Sequence, residues 1–257
     1  MPLKAARLGM LTPSSNTVLE PMLMHMMRDC PATTVHFSRF KVTEIALSRS
    51  ALDQFAANTM LQAAELLAHA KVDVIAWNGT SASWTGLESD RQLCRDIEAA
   101  TGIPATSSVL ALDEIMRSVG LRNVGLVTPY TRDVQDKIIT NLEAGGFRCT
   151  SERCLELSDN FSFAEVTEEA IEGLVTAVAA KGCDAVAIVC TNMRGARIAA
   201  RLEKQLGIPV YDSVAVTLWK SMRLAGAAMS GLREWGSLFS SETEASAAAH
   251  AATARRS

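Results

Sequence analysis

The chain has 257 residues, 21% of them charged, a formal net charge of −3 and four histidines. It carries no basic run or aromatic–basic interleaving and no apolar run of membrane-spanning length, so neither a nucleic-acid nor a membrane partner is expected. The six cysteines (Cys30, Cys94, Cys149, Cys154, Cys183 and Cys190) are scattered without a C-x-x-C pair, and the histidines lack metal-ligand spacing; this speaks against a disulfide framework or zinc site and makes the reducing cytoplasm the expected location.

In chain order, residues 7–12 read as a buried strand that ends in Pro13-Ser14-Ser15-Asn16-Thr17, followed by a helix to about residue 28. Ser15 or Asn16 could cap that helix; at the carboxyl end of a strand, the same hydroxyls and amide could also face a ligand. Residues 33–40 form a second strand, after which Arg39 and Lys41 are candidates to hold a carboxylate. Helical periodicity over 51–70 leads to a third strand at 72–77 and the small, hydroxyl-rich turn Asn78-Gly79-Thr80-Ser81-Ala82-Ser83. A helix over 87–100, a short strand at 104–106 and a helix to residue 119 complete this part.

The second part opens with a strand at 123–128 that ends in Pro129-Tyr130-Thr131. A helix to residue 143 is closed by Gly145-Gly146. A strand over 148–157 is followed by Ser158-Asp159-Asn160 and a helix at 165–180. The run Asp184–Thr191 suits a parallel strand covered on both faces, and it ends on Cys190. A turn from Thr191 leads to a helix over 196–206, whose N-terminus is expected to lower the Cys190 thiol pKa from about 8.5. Such a thiol should alkylate near neutral pH ahead of the other five. A strand at 209–211 and a helix to residue 224 follow. Residues 241–257, rich in Ala and Ser, read as a disordered tail.

Three motifs recur in register. Leu8-Gly9-Met10-Leu11-Thr12-Pro13 matches Val124-Gly125-Leu126-Val127-Thr128-Pro129, Asp73–Thr80 matches Asp184–Thr191, and Gly102-Ile103-Pro104 matches Gly207-Ile208-Pro209. This indicates a duplicated α/β unit, with two doubly wound, flavodoxin-like parallel-sheet halves facing one cleft. The expected halves are 1–106 plus 212–240, and 107–211. In the aligned pattern Gly79 stands opposite Cys190, so the cleft has a thiol on one side and a glycine on the other.

With these residues assembled, the chain resembles the aspartate/glutamate racemase superfamily, in the branch of maleate cis–trans isomerases and arylmalonate decarboxylases. Pro13-Ser14-Ser15-Asn16, Gly79-Thr80-Ser81, Thr128-Pro129-Tyr130 and Cys190 carry the resemblance, which covers about residues 7–239. It implies an Asp/Glu racemase-like fold and an enzyme that uses no metal or coenzyme. It also implies a small mono- or dicarboxylate substrate, with Cys190 catalytic and Pro13, Ser14, Ser15, Asn16, Gly79, Thr80, Ser81, Tyr130, Asn160 and Thr191 around the substrate. The decarboxylase branch is similar in keeping one cysteine, in having Gly-Thr-Ser where the first-half cysteine would be, and in Arg223-Leu224-Ala225-Gly226 and Gly236-Ser237-Leu238-Phe239. Pro13-Ser14-Ser15-Asn16-Thr17 and Ser158-Asp159-Asn160 resemble the isomerase branch.

Proton or CO₂ removal beside a carboxylate creates an enediolate that needs preorganised donors. Thr80, Ser81, Tyr130 and the N–H groups of Cys190 and Thr191 are the candidates. One thiol suits decarboxylation of a substituted malonate followed by one-sided protonation. Isomerisation of a maleate-type substrate or amino-acid racemisation is the alternative. A small-carboxylate binding module, with Cys190 as packing, is the reading of another class. Compact enzymes commonly form homo-oligomers, and the sequence leaves the number of subunits open.

Overall fold

The computed structural model describes residues 5–45, 47, 57–240 and 243. Two four-stranded, all-parallel sheets organise the chain. The first holds β1 (Ala6–Pro13), β2 (Thr33–Phe40), β3 (Val74–Trp77) and β4 (Ala105–Ser107) in the order β2-β1-β3-β4. The second holds β5 (Asn123–Thr128), β6 (Arg148–Cys154), β7 (Ala185–Ile188) and β8 (Val210–Asp212) in the matching order β6-β5-β7-β8. The repeated motifs therefore correspond to a repeated topology. The expected α/β architecture of two doubly wound halves is the architecture observed. In each half the chain reverses direction across the sheet between the first and third strands, which is where such folds bind ligands.

The helices are α1 (Leu19–Met26), α2 (Ala57–His69), α3 (Ala82–Thr85), α4 (Leu87–Thr101), α5 (Ser108–Ser118), α6 (Arg132–Ala144), α7 (Glu168–Ala179), α8 (Gly195–Leu206) and α9 (Ser213–Ala225). Strands β3 and β7 are buried along their whole length, as expected of central strands covered on both faces. The two matched aspartates brace these sheets from the amino ends. Asp73 Oδ2 accepts the N–H of Arg7 at 2.8 Å, and Asp184 Oδ2 accepts those of Arg122 and Asn123 at 2.9 and 2.7 Å. These bonds hold the Asp184 carboxyl below the usual range.

The last helix of each half reaches the other half. α9 packs on β1, β3 and β4 and against α5, where Thr217 Oγ1 donates to Ser108 Oγ at 2.7 Å. From α5, Arg117 donates to Gly145 O at 2.9 Å and lies over the Phe147 ring. Among the described residues no helix is long and apolar enough to cross a membrane, and no cluster of His, Cys, Asp or Glu is arranged to hold a metal ion.

Several boundaries differ from the sequence reading. β6 stops at Cys154 rather than 157, and α7 begins at Glu168, because a 3₁₀ turn (Ser162–Glu165) precedes it. The short α3 interrupts what reads as one loop. The expected helix over 51–70 is described from residue 57. The expected tail at 241–257 lies outside the described residues apart from Thr243.

Candidate active site

The carboxyl ends of β1, β3, β5 and β7 converge on one pocket of about 280 Å³. Its wall is formed by Pro13, Val42, Ile45, Trp77, Gly79, Thr80, Ser81, Trp84, Tyr130, Asn160, Cys190 and Thr191. Each matched strand end therefore contributes: Pro13 after β1, Gly79-Thr80-Ser81 after β3, Tyr130 after β5 and Cys190-Thr191 after β7. A strap closes the pocket between the halves. Ile45 N–H donates to Ser158 O at 2.9 Å, Asn160 N–H donates to Thr43 O at 3.0 Å, and Glu44 bridges Asp159 in antiparallel fashion.

Cys190 is 2% exposed. Its sulfur accepts the Asn192 N–H at 3.3 Å, and the Tyr130 hydroxyl lies near enough to favour the thiolate. Tyr130 also shares a 2.5 Å hydrogen bond with Thr80 Oγ1. A chain of three polar groups, Thr80–Tyr130–Cys190, thus crosses the cleft. Among the described residues no acceptor takes the backbone N–H groups of Thr80, Ser81, Cys190 or Thr191. The wall therefore supplies free donors that a carboxylate or an enediolate oxygen would fill. Val42, Ile45, Trp77 and Trp84 add apolar surface to the same wall, with the Trp84 ring edge-on to Tyr130 at a centroid distance of 5.3 Å.

The thiol is not activated as the sequence suggests. Burial pushes the Cys190 pKa up to about 12, and the donors from Asn192 and Tyr130 only partly offset this. A turn at 191–194 separates the thiol from the next helix. α8 starts at Gly195, and its first turn faces Asp212 rather than the thiol. A Cβ on Gly195 would lie 2.6 Å from Asp212 Oδ2, and the Ala196 N–H interacts with that carboxyl. Asp212 in turn caps α9, accepting the N–H groups of Val214 and Ala215 at 2.8 and 3.2 Å.

Some expected ligand residues stand behind the wall rather than in it. Ser14 and Ser15 donate their hydroxyls to Val42 O, at 3.3 and 2.5 Å. Asn160 Nδ2 donates to Ser15 Oγ at 2.7 Å. Asn16 is fully engaged: its Oδ1 accepts the Val18 and Leu19 N–H groups, and its Nδ2 reaches Thr191 O and Oγ1 at 3.1 and 3.2 Å. It holds the turn that leads into α1 and ties the two halves together. The Thr191 hydroxyl donates to Asn78 O at 2.9 Å. Arg39 pairs with Glu20 at 2.8 Å and donates to Ser14 O at 2.9 Å. Lys41 is exposed, and neither cation belongs to the wall.

Asn192 is a residue the sequence reading passes over. Its Oδ1 accepts the Thr17 and Val18 N–H groups at 3.0 and 3.2 Å, and its Nδ2 donates to Asn160 O at 2.6 Å. It locks three site loops together. Its place two residues after Cys190 is the only signal in the sequence.

Paired parallel sheets with one thiol, a tyrosine and a hydroxyl-rich turn around an enclosed pocket define an enzyme of the Asp/Glu racemase superfamily type. The arylmalonate decarboxylase family model matches residues 24–237, and the chain belongs to that family. It is 27% identical to a maleate isomerase of Pseudomonas putida over 246 residues, 88% of this chain and 97% of the relative. It is 28% identical to the arylmalonate decarboxylase of Bordetella bronchiseptica over 169 residues, 65% of this chain and 70% of the relative. Its fold is similar to the maleate isomerase of Pseudomonas putida S16 solved with maleate (TM-score 0.84, 22% identity, 92% of this chain and 98% of that one). These relatives are isomerases and lyases, which fits the expected class of enzyme.

Proposed function

We propose that this chain acts at the carbon next to a carboxylate through an enediolate, and that it decarboxylates a substituted malonate with Cys190 as the proton donor. The observation that carries this reading is the make-up of the pocket wall. It combines a single buried thiol and unoccupied donors with the apolar side chains of Val42, Ile45, Trp77 and Trp84, and holds no cation among the described residues.

The retained carboxylate would take the N–H groups of Thr80, Ser81 and Thr191 together with the Tyr130 hydroxyl. The departing carboxylate would face Val42, Ile45, Trp77 and Trp84, where a charge is poorly solvated and breaking the C–CO₂ bond relieves that cost. The bonding pair left by CO₂ moves into the enediolate, whose oxygens the donors hold. The S–H proton of Cys190 then moves to the α-carbon, and the enediolate collapses to the product carboxylate. The thiolate so formed keeps its bond from Asn192 N–H until water returns a proton. Burial raises the thiol pKa. It keeps Cys190 as an acid at neutral pH, whereas a nucleophile or base would need the thiolate at rest.

A second reading is cis–trans isomerisation of a maleate-type diacid. It is favoured by the longer match to the maleate isomerase relative and by the Asn160 amide in the pocket wall. Separate incubations with phenylmalonate and with maleate distinguish the two. CO₂ release from the first supports decarboxylation, and fumarate from the second with no CO₂ release replaces it with isomerisation.

A further inference from the structure

We infer that Trp77 is a specificity-determining residue that fills the place a second acid–base side chain at position 79 would need, and so confines proton delivery to the Cys190 side. This rests on the one-thiol reading above. A Cβ built on Gly79 would lie 1.9, 2.3 and 2.5 Å from three carbons of the Trp77 indole. Contacts that short do not occur, so any side chain at position 79 must expel the indole.

The indole has little freedom to leave. Trp77 is 1% exposed, and its ring packs on Phe40 with centroids 5.1 Å apart. Its backbone lies within β3, paired to Leu11 on one side and Ser107 on the other. Ser108 Oγ adds a bond to its carbonyl at 3.3 Å.

The duplicated half shows the reverse arrangement. At the offset that matches Asp73 with Asp184, Trp77 corresponds to Ile188 and Gly79 to Cys190. Where the strand ends on the smaller isoleucine, a cysteine fits two residues later. Where it ends on tryptophan, only glycine does. The pairs Trp-x-Gly and Ile-x-Cys are thus two alternative ways of filling the same space, and each half of the pocket uses one.

The test uses four forms of the full chain: wild type, Trp77→Ile, Gly79→Cys and the double variant, which rebuilds the second half's pair in the first. Each is melted, and each is incubated in D₂O with single enantiomers of 2-phenylpropionate, with racemisation followed by chiral separation and deuterium by NMR. Gly79→Cys alone is expected to lower the melting temperature and to racemise only slowly. The double variant is expected to recover much of that loss and to racemise about a hundredfold faster than Gly79→Cys, the scale of a positioned acid–base group. Equal melting penalties for Gly79→Cys in the Trp77 and Trp77→Ile backgrounds would overturn the steric claim. So would racemisation by Gly79→Cys as fast as by the double variant. A double variant that folds, still decarboxylates and does not racemise would overturn the claim that Trp77 confines the proton. The melting comparison does not depend on the reaction, so it decides the steric claim even if wild type releases no CO₂ from a malonate.

Discussion

Tyr130→Phe removes one oxygen and leaves the ring. The ring is held edge-on by Trp84 and Phe163, at centroid distances of 5.3 and 5.4 Å, so the pocket keeps its shape. The lost hydroxyl shares a hydrogen bond with Thr80 Oγ1 and favours the Cys190 thiolate. The Thr80 hydroxyl is buried and has no other hydrogen-bond partner among the described residues. Orphaning it costs about 1–3 kcal/mol, which at about 2–4 °C per kcal/mol lowers Tm by several degrees. The catalytic cost is larger. Losing one donor to a developing oxyanion is worth about 10²–10³ in kcat. The variant should also raise the Cys190 pKa further, because a bond that stabilises the thiolate is gone. Steady-state kinetics on whichever of phenylmalonate or maleate the wild type turns over measure the first effect. A kcat within about threefold of wild type, or a loss confined to KM, would refute the role given to this hydroxyl.

Other outcomes follow from the same geometry. Iodoacetamide should modify Cys190 more slowly at neutral pH than the partly exposed Cys154, with a rate that climbs toward pH 12; peptide mapping after timed labelling checks the order. Asn192→Ala leaves the Thr17 N–H and the Asn160 carbonyl without their Asn192 partners, and should lower stability by about 1–3 kcal/mol and reduce kcat, as melting and turnover of the same sample would show. Asp90 and Asp212 are buried, and burial raises each carboxyl to about 7. Their protonated forms are therefore favoured in the folded state. The resulting stability is fully present below the unfolded pKa near 3.9 and is lost as pH rises toward and through 7. Melting temperature should accordingly fall between about pH 4 and pH 8, and the Asp90→Asn and Asp212→Asn variants should flatten that slope.

The sequence reveals the strand ends because buried parallel strands are short apolar runs that stop abruptly, as at Asp184–Cys190, and because the duplication repeats the signal. The convergence of Pro13, Thr80, Tyr130 and Cys190 could be read from that pattern alone. What could not be read depends on contacts between distant segments. The orientation of the Trp77 indole is set by Phe40, from another strand. The thiol environment depends on segments from both halves that bury Cys190, and that burial reverses the expected direction of its pKa shift. Arg39 is drawn off by Glu20 on α1, and Ser14, Ser15 and Asn16 are consumed by Val42, Thr191 and the turn that leads into α1. Hydroxyls and amides at a strand end serve either a ligand or the backbone, and only the folded geometry decides which.

The most direct test of Cys190 as the proton donor is turnover of 2-methyl-2-phenylmalonate in D₂O by wild type and Cys190→Ala, with the 2-phenylpropionate formed examined by NMR and chiral separation. The account predicts that wild type releases CO₂ and places one deuteron at the α-carbon in a single handedness, and that the variant loses turnover by orders of magnitude. A Cys190→Ala enzyme that still forms the same single enantiomer at a comparable rate would contradict it.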